Sequence, residues 1–138
     1  MIFLELVKIG QKVYEVEVAN NFFTRGKGLM FRKEFENNKS LFITPCNSIH
    51  TCFMKFPISV IFVDKKGIVV KTKYNVKPWK MVFAFGAHSV YEINTEGNSE
   101  DILPKVGDKV TNIKTLFGKL YFFDIIEEDW QESQHKKL

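Results

Sequence analysis

The sequence predicts an all-β fold, a sandwich or partly closed barrel of short, mostly antiparallel strands with one short helix at an end. Three observations predict it. Apolar residues recur with a period of two along most of the chain, the spacing of a strand with one buried face. Clusters of Gly, Asp and Asn separate these runs at short intervals, as in sandwiches and barrels. Phenylalanine supplies 14 of the 138 residues, and aromatic rings suit a pleated, half-buried surface.

The elements follow in order. "IFLELVKI" and "KVYEVEVA" alternate on either side of Gly10 and Gln11, which predicts a hairpin. In "NNFFTRGKGLMFRKEF", Phe22, Arg25, Leu29 and Met30 share a helical face. Gly26 and Gly28 each cost about 1 kcal/mol inside a helix, so the helix is short. In "TPCNSIHTCFM", Asn47 and Ser48 suit a turn, and Cys52, Met54 and Phe56 then line one face of a core strand. "SVIFVDKKGIVVKTKY" is a hairpin, with Asp64 first and Gly67 fourth in a type I turn. "PWKMVFAFGA" fits neither period. "HSVYEIN" is a strand with Val90 and Glu92 on one face and Tyr91 on the other. "NTEGNSEDILPKVGD" is a long loop, and Asp64 and Asp108 cap their turns. "DKVTNIKTLFGKLYFFDII" closes the series as a hairpin around Gly118. A single β-rich domain takes 1–126, and 127–138 is a short helix or tail with one apolar anchor, Trp130.

Composition narrows the function classes. Hydrophobic residues at 45% and charged residues at 26% are those of a soluble globular domain. A net charge of +4 with no run of five basic residues permits an anionic ligand and argues against nucleic acid. Glu5 and Lys8 interrupt the first apolar run, so no signal peptide is read. No apolar run approaches the roughly 20 residues of a membrane span. A cytoplasmic location with free thiols is therefore expected, with no membrane partner.

Arg25 to Arg32 read R-G-K-G-L-M-F-R. This resembles the R-x-x-G-L-M-x-R signature of the prokaryotic family called domain of unknown function 192. "FMKFPISVIFVDKKGIVV", "VYEI" and "VGDKV" resemble further pieces of that family in the same order. The resemblance covers about Asn21 to Val110 and implies a sandwich-like fold with a short helix. It implies no activity. Two departures stand out: His50 to Met54 replace the family's commoner Trp-Met-Lys-Asn-Thr, and Ser59 stands where the family usually has an acidic residue.

Cys46, His50 and Cys52 invite a zinc reading. Zinc needs about four ligands at roughly 2.0–2.3 Å. Cys46 lies about 13 Å from His50 along an extended strand, and no fourth ligand is near. No metal and no cofactor are therefore expected. A Cys52 nucleophile paired with His50 would need a depressed thiol pKa, which apolar neighbours oppose. "RGKGLM" lacks the hydroxyl of a phosphate loop, although its glycine amides beside Arg25, Lys27 and Arg32 suit an anion. In the opposing structural reading Arg25 pairs with the Glu92 carboxylate and locks the helix down.

The sequence therefore points to a small domain that binds an unidentified small, anionic molecule, or serves as an accessory module. Arg25 and Arg32 engage the anion, and His50 orients it beside the Glu92 strand. The alternatives are a hydrolase with His50 and Glu92 as acid/base partners and a weak single-stranded nucleic-acid binder.

Overall fold

The computed structural model describes residues 3–116 and 119–123. Gly118 and the tail expected over 127–138 lie outside the described residues. Among the described residues, ten strands, one helix and one 3-10 turn follow in the order β1 (Phe3–Ile9), β2 (Lys12–Ala19), α1 (Phe22–Lys27), β3 (Lys39–Ile43), β4 (Ser48–His50), β5 (Ile58–Val63), β6 (Val69–Val76), β7 (Met81–Phe83), β8 (Ser89–Asn94), a 3-10 turn (Glu100–Ile102), β9 (Thr111–Leu116) and β10 (Lys119–Phe123).

Eight strands form one sheet in the order β10-β9-β1-β2-β3-β8-β5-β6, and β4 pairs with β7 in a small second sheet. All the pairs are antiparallel except β2 with β3. The large sheet curls. Its edge strand β6 meets the approach to β9 through the Ile68–Lys109 bridge, with Val69 N donating to Asp108 O at 2.8 Å and Val110 N to Gly67 O at 2.9 Å. The result is sandwich-like and not a closed barrel.

Strand β5 is buried along its whole length, so it needs an apolar run rather than a half-polar alternation. Ile58, Val60 and Phe62 enter one core with Leu29, Ile43, Met54, Val82 and Val90. Ile61 and Val63 enter the other with Val7, Ile9, Tyr14 and Ile93. The small sheet roofs the first core with Ile49 and Val82. Asp64 builds the β5–β6 turn by accepting from the Lys66 and Ile68 amides at 2.8 and 3.0 Å.

Three expectations change. The core strand through Cys52, Met54 and Phe56 is absent. Pairing on β4 ends at His50, and Phe53 has φ 61°, which a strand does not tolerate. Met54 still reaches the core, but from a loop. Thr51 organises that loop. Its Oγ1 donates to Lys77 O at 2.7 Å and accepts from Lys80 N at 2.8 Å, and its carbonyl accepts from Trp79 N at 3.0 Å. The ambiguous "PWKMVFAFGA" supplies β7. Finally, α1 buries none of its six residues. The buried apolar residue is Leu29, just past its end.

Candidate functional site

The only α-helix among the described residues sits on the surface and is fixed at its ends. Asn21 Oδ1 accepts from Thr24 N at 2.8 Å, and Thr24 Oγ1 accepts from Asn21 N at 3.3 Å, a reciprocal cap that satisfies two otherwise free amides. Gly28 ends the helix at φ 50°, ψ −127°, a conformation open mainly to glycine. A Cβ there would stand 3.4 Å from Glu92 Oε1. The "RGKG" motif thus lets the chain pass directly over a buried carboxyl.

Between α1 and the turn from β3 to β4 lies a cleft of about 960 Å³. Phe22, Phe23 and Phe31 give it apolar walls, and Pro45, Cys46 and Ser48 form the opposite side. Arg25, Lys27 and His88 also line it, and no carboxylate does. Arg25 Nη1 donates to Pro45 O at 3.1 Å, which fixes the guanidinium across the cleft. Its Nε is buried with no hydrogen-bond partner.

The four residues singled out in sequence do not form one site. Only Arg25 reaches the cleft. Arg32 is tied to Glu17 at 2.9 Å and lies over the Phe35 ring at 5.6 Å. The Cys52 amide donates to His50 Nδ1 at 3.2 Å, so Nε2 holds the ring proton and donates to Gly26 O at 3.1 Å. Both nitrogens are engaged, and the ring staples β4 to α1. No hydrogen bond or ion pair joins His50 to Glu92 among the described residues, so the acid/base pair has no geometry here.

Glu92 lies on the Val90 face as expected but lacks the expected partner. It is 2% exposed, its Oε1 accepts no hydrogen bond, and no ion pair joins it to Arg25 among the described residues. Burial pushes its carboxyl up to about 8, while the Arg32 charge pulls the other way. A carboxyl that stays protonated at neutral pH avoids the cost of an unpaired buried charge.

Cys46 Sγ donates to Ser48 O at 2.9 Å, and burial pushes its thiol pKa up, the opposite of an activated nucleophile. Ser59, where the resemblance led to the expectation of an acid, is fully buried. Its Oγ hydrogen-bonds Thr95 Oγ1 at 2.9 Å and accepts from Asn75 N at 3.2 Å, where it holds the irregular end of the β5–β6 pairing.

Sequence reasoning missed the rings. Phe31 and Phe53 stack at 5.2 Å between centroids, and Phe53 meets Trp79 at 4.7 Å. All three are exposed, and all three have positive φ. The available signal was local. Phe22 and Phe23 are adjacent on a helix and cannot both face a core, and "PWK" sets a tryptophan among turn and charged residues.

Comparison with known proteins fits this geometry. A family model described as "Uncharacterized ACR", domain of unknown function 192, matches residues 5–112. The UPF0127 protein PH1112 of Pyrococcus horikoshii is 37% identical over 102 residues, covering 70% of this chain and 85% of that one. A UPF0127 protein of Thermococcus sibiricus is 35% identical over 101 residues, covering 69% and 64%. A crystal structure of a protein of unknown function from Novosphingobium aromaticivorans superposes with a TM-score of 0.67 at 27% identity, covering 78% of this chain and 82% of that one. A putative transcription regulator from Sinorhizobium meliloti shares the fold, with a TM-score of 0.69 at 16% identity over 80% and 94%. No helix among the described residues is long and apolar enough to cross a membrane. The motif at Arg25–Arg32, the match over most of the chain and the shared fold agree: this chain belongs to the domain of unknown function 192 (UPF0127) family.

Proposed function

We propose that the chain is a binding domain whose cleft takes a small anion with an apolar body. The observation that carries this reading is Arg25. Its guanidinium is held across the cleft by a neutral carbonyl, and no ion pair neutralises it among the described residues. Lys27 adds a second positive charge, and Phe22 and Phe23 offer apolar contact. The cleft is open to solvent on the side of Phe22 and Phe23, so it suits a small molecule laid against its apolar wall and oriented by few polar groups. Arg25 would take a carboxylate or phosphate through charge-assisted hydrogen bonds, and the phenylalanines would cover the organic part. The histidine that lines the cleft, His88, hydrogen-bonds the buried Ser89 Oγ at 3.0 Å, that hydroxyl donates to Thr44 Oγ1, and no carboxylate lines the cleft, so binding is favoured over hydrolysis.

Thermal shift and calorimetry with phenyl phosphate, benzoate and neutral benzyl alcohol test the proposal. The two anions should raise the melting temperature saturably and benzyl alcohol should not. At a hundredfold excess over Kd the native state gains about 2.7 kcal/mol. Arg25→Gln should abolish the response. No shift with either anion, or equal shifts in the Arg25→Gln protein, would refute it.

A further inference from the structure

The exposed rings form a surface that begins at the cleft wall with Phe31 and runs away from it through Phe53 to Trp79. Phe31, Phe53 and Trp79 are 58%, 49% and 61% exposed. Each leaves about half of its surface open to solvent, and Phe53 meets the ring of Phe31 on one side and that of Trp79 on the other. Backbone bonds fix the arrangement, with Phe31 N donating to Phe53 O at 3.2 Å and Trp79 N to Thr51 O at 3.0 Å. A bulky residue at positive φ is a genuine conformational outlier, and such strain persists only where the surroundings over-determine it. The surface extends onto the small sheet. His50 opposes Met81 and Ser48 opposes Phe83, so these four share one face while Ile49 and Val82 point into the core. Met81 and Phe83 are both exposed.

Charge separates along the same stretches. Segments 20–33 and 44–91 hold eleven of the twenty Lys and Arg residues but one of the sixteen Asp and Glu. That one, Asp64, is occupied within its own turn. The modest net charge of +4 is the remainder of a strongly basic part and an acidic one. Lys33 follows Phe31 by two residues, Lys55 follows Phe53 by two, and Lys77 and Lys80 flank Trp79. All four are exposed and none forms an ion pair among the described residues.

We infer that this ledge binds single-stranded nucleic acid: bases stack on the exposed rings at Trp79 and Phe53, and the flanking ammonium groups neutralise phosphates. Exposed rings interleaved with cations make a stacking platform that tolerates any base. A lipid surface would attract the same lysines but has no use for rings held rigidly at fixed tilt, so the nucleic acid is favoured.

Fluorescence anisotropy with a labelled oligothymidylate of about twelve residues, read against salt, tests the inference. The single strand should bind at low salt and a duplex of equal length more weakly. Trp79→Ala should weaken binding about tenfold or more, and Trp79→Phe should restore most of it. Lys77→Gln with Lys80→Gln should reduce the salt slope by about 1.4, two phosphates' worth. This pair decides the matter if Trp79→Ala proves unstable. Arg25→Gln, which should silence phenyl phosphate binding in the cleft, should leave oligonucleotide affinity unchanged, so the two proposals fail separately. No single-strand binding at low salt would overturn the inference. So would an unchanged affinity in folded Trp79→Ala or an unchanged slope in the lysine variant. Capture by phosphatidylserine vesicles without oligonucleotide binding would assign the ledge to a membrane surface instead.

Discussion

Replacing Glu92 with glutamine removes a charge that the folded protein resists forming. The unfolded carboxyl titrates near 4.5 and the folded one near 8. Between those values the native state holds a proton that the unfolded chain has released. Stability therefore falls as pH rises across this window, by about 1.4 kcal/mol per unit. The contribution is fully present below the unfolded value and is lost as pH climbs through the folded one. From about pH 6 to about pH 8 the loss is about 2 kcal/mol, because the slope flattens as the folded carboxyl ionises. Glutamine has nearly the same shape as the protonated acid and does not titrate. The Glu92→Gln protein should therefore gain about 2 kcal/mol on the wild type over that interval. Urea unfolding followed by tryptophan fluorescence at three pH values measures the difference, and equal m-values show that the comparison is sound. Other titrating groups cancel in the difference. A wild-type-to-variant gap that stays constant from about pH 6 to about pH 8 would mean the carboxyl ionises as if exposed, and would refute the buried, unpartnered placement.

Two further outcomes follow from the packing. Phe62 is fully buried in β5, so Phe62→Ala should cost about 3–5 kcal/mol in the same urea assay; a loss under about 1 kcal/mol would show that the strand's inward face is misassigned. Arg25→Met should cost about 1–2 kcal/mol, since it removes one charge-assisted hydrogen bond to a carbonyl at a half-buried position, and it should add to Glu92→Gln without coupling; a cost of about 3 kcal/mol or more together with strong coupling to Glu92→Gln would restore a buried Arg25–Glu92 pair.

The hairpins were legible because period and turn chemistry agree in them. At β5–β6 an apolar run, Asp64 and Gly67 all specify the same reversal. The β1–β2 hairpin was read in the same way, and so was the side of β8 on which Glu92 lies. Agreement between levels failed around Cys52. There the alternation of Cys52, Met54 and Phe56 imitates a strand, while the Thr51 hydrogen bonds hold a loop with Phe53 at positive φ. Strand β3 was missed because "KSLFI" is five residues long and lies parallel to β2, a pairing that no local turn announces. Glu92 was placed correctly and given the wrong partner. A sequence shows that a carboxylate is buried more readily than it shows whether protonation or pairing settles its charge. The basic segregation was present in the letters, but a search for unbroken runs does not detect lysines spaced between rings.

The central position of β1 has a consequence for synthesis. Its inner neighbour β2 follows within three residues of its end, but its outer neighbour β9 joins Leu4 to Thr115 and Lys8 to Thr111. On the ribosome, the first hairpin emerges with two open edges; β3 (Lys39–Ile43) soon supplies the partner for β2, but the strand that covers β1 arrives roughly 100 residues later. At about 5–20 residues per second that interval lasts on the order of 5–20 seconds. Throughout it the backbone of Phe3–Ile9 presents a free pairing edge, the kind of template on which nascent chains join one another. Truncated translation products ending before Thr111 would keep that edge permanently open and should accumulate in the insoluble fraction, whereas the full chain covers it with its own β9.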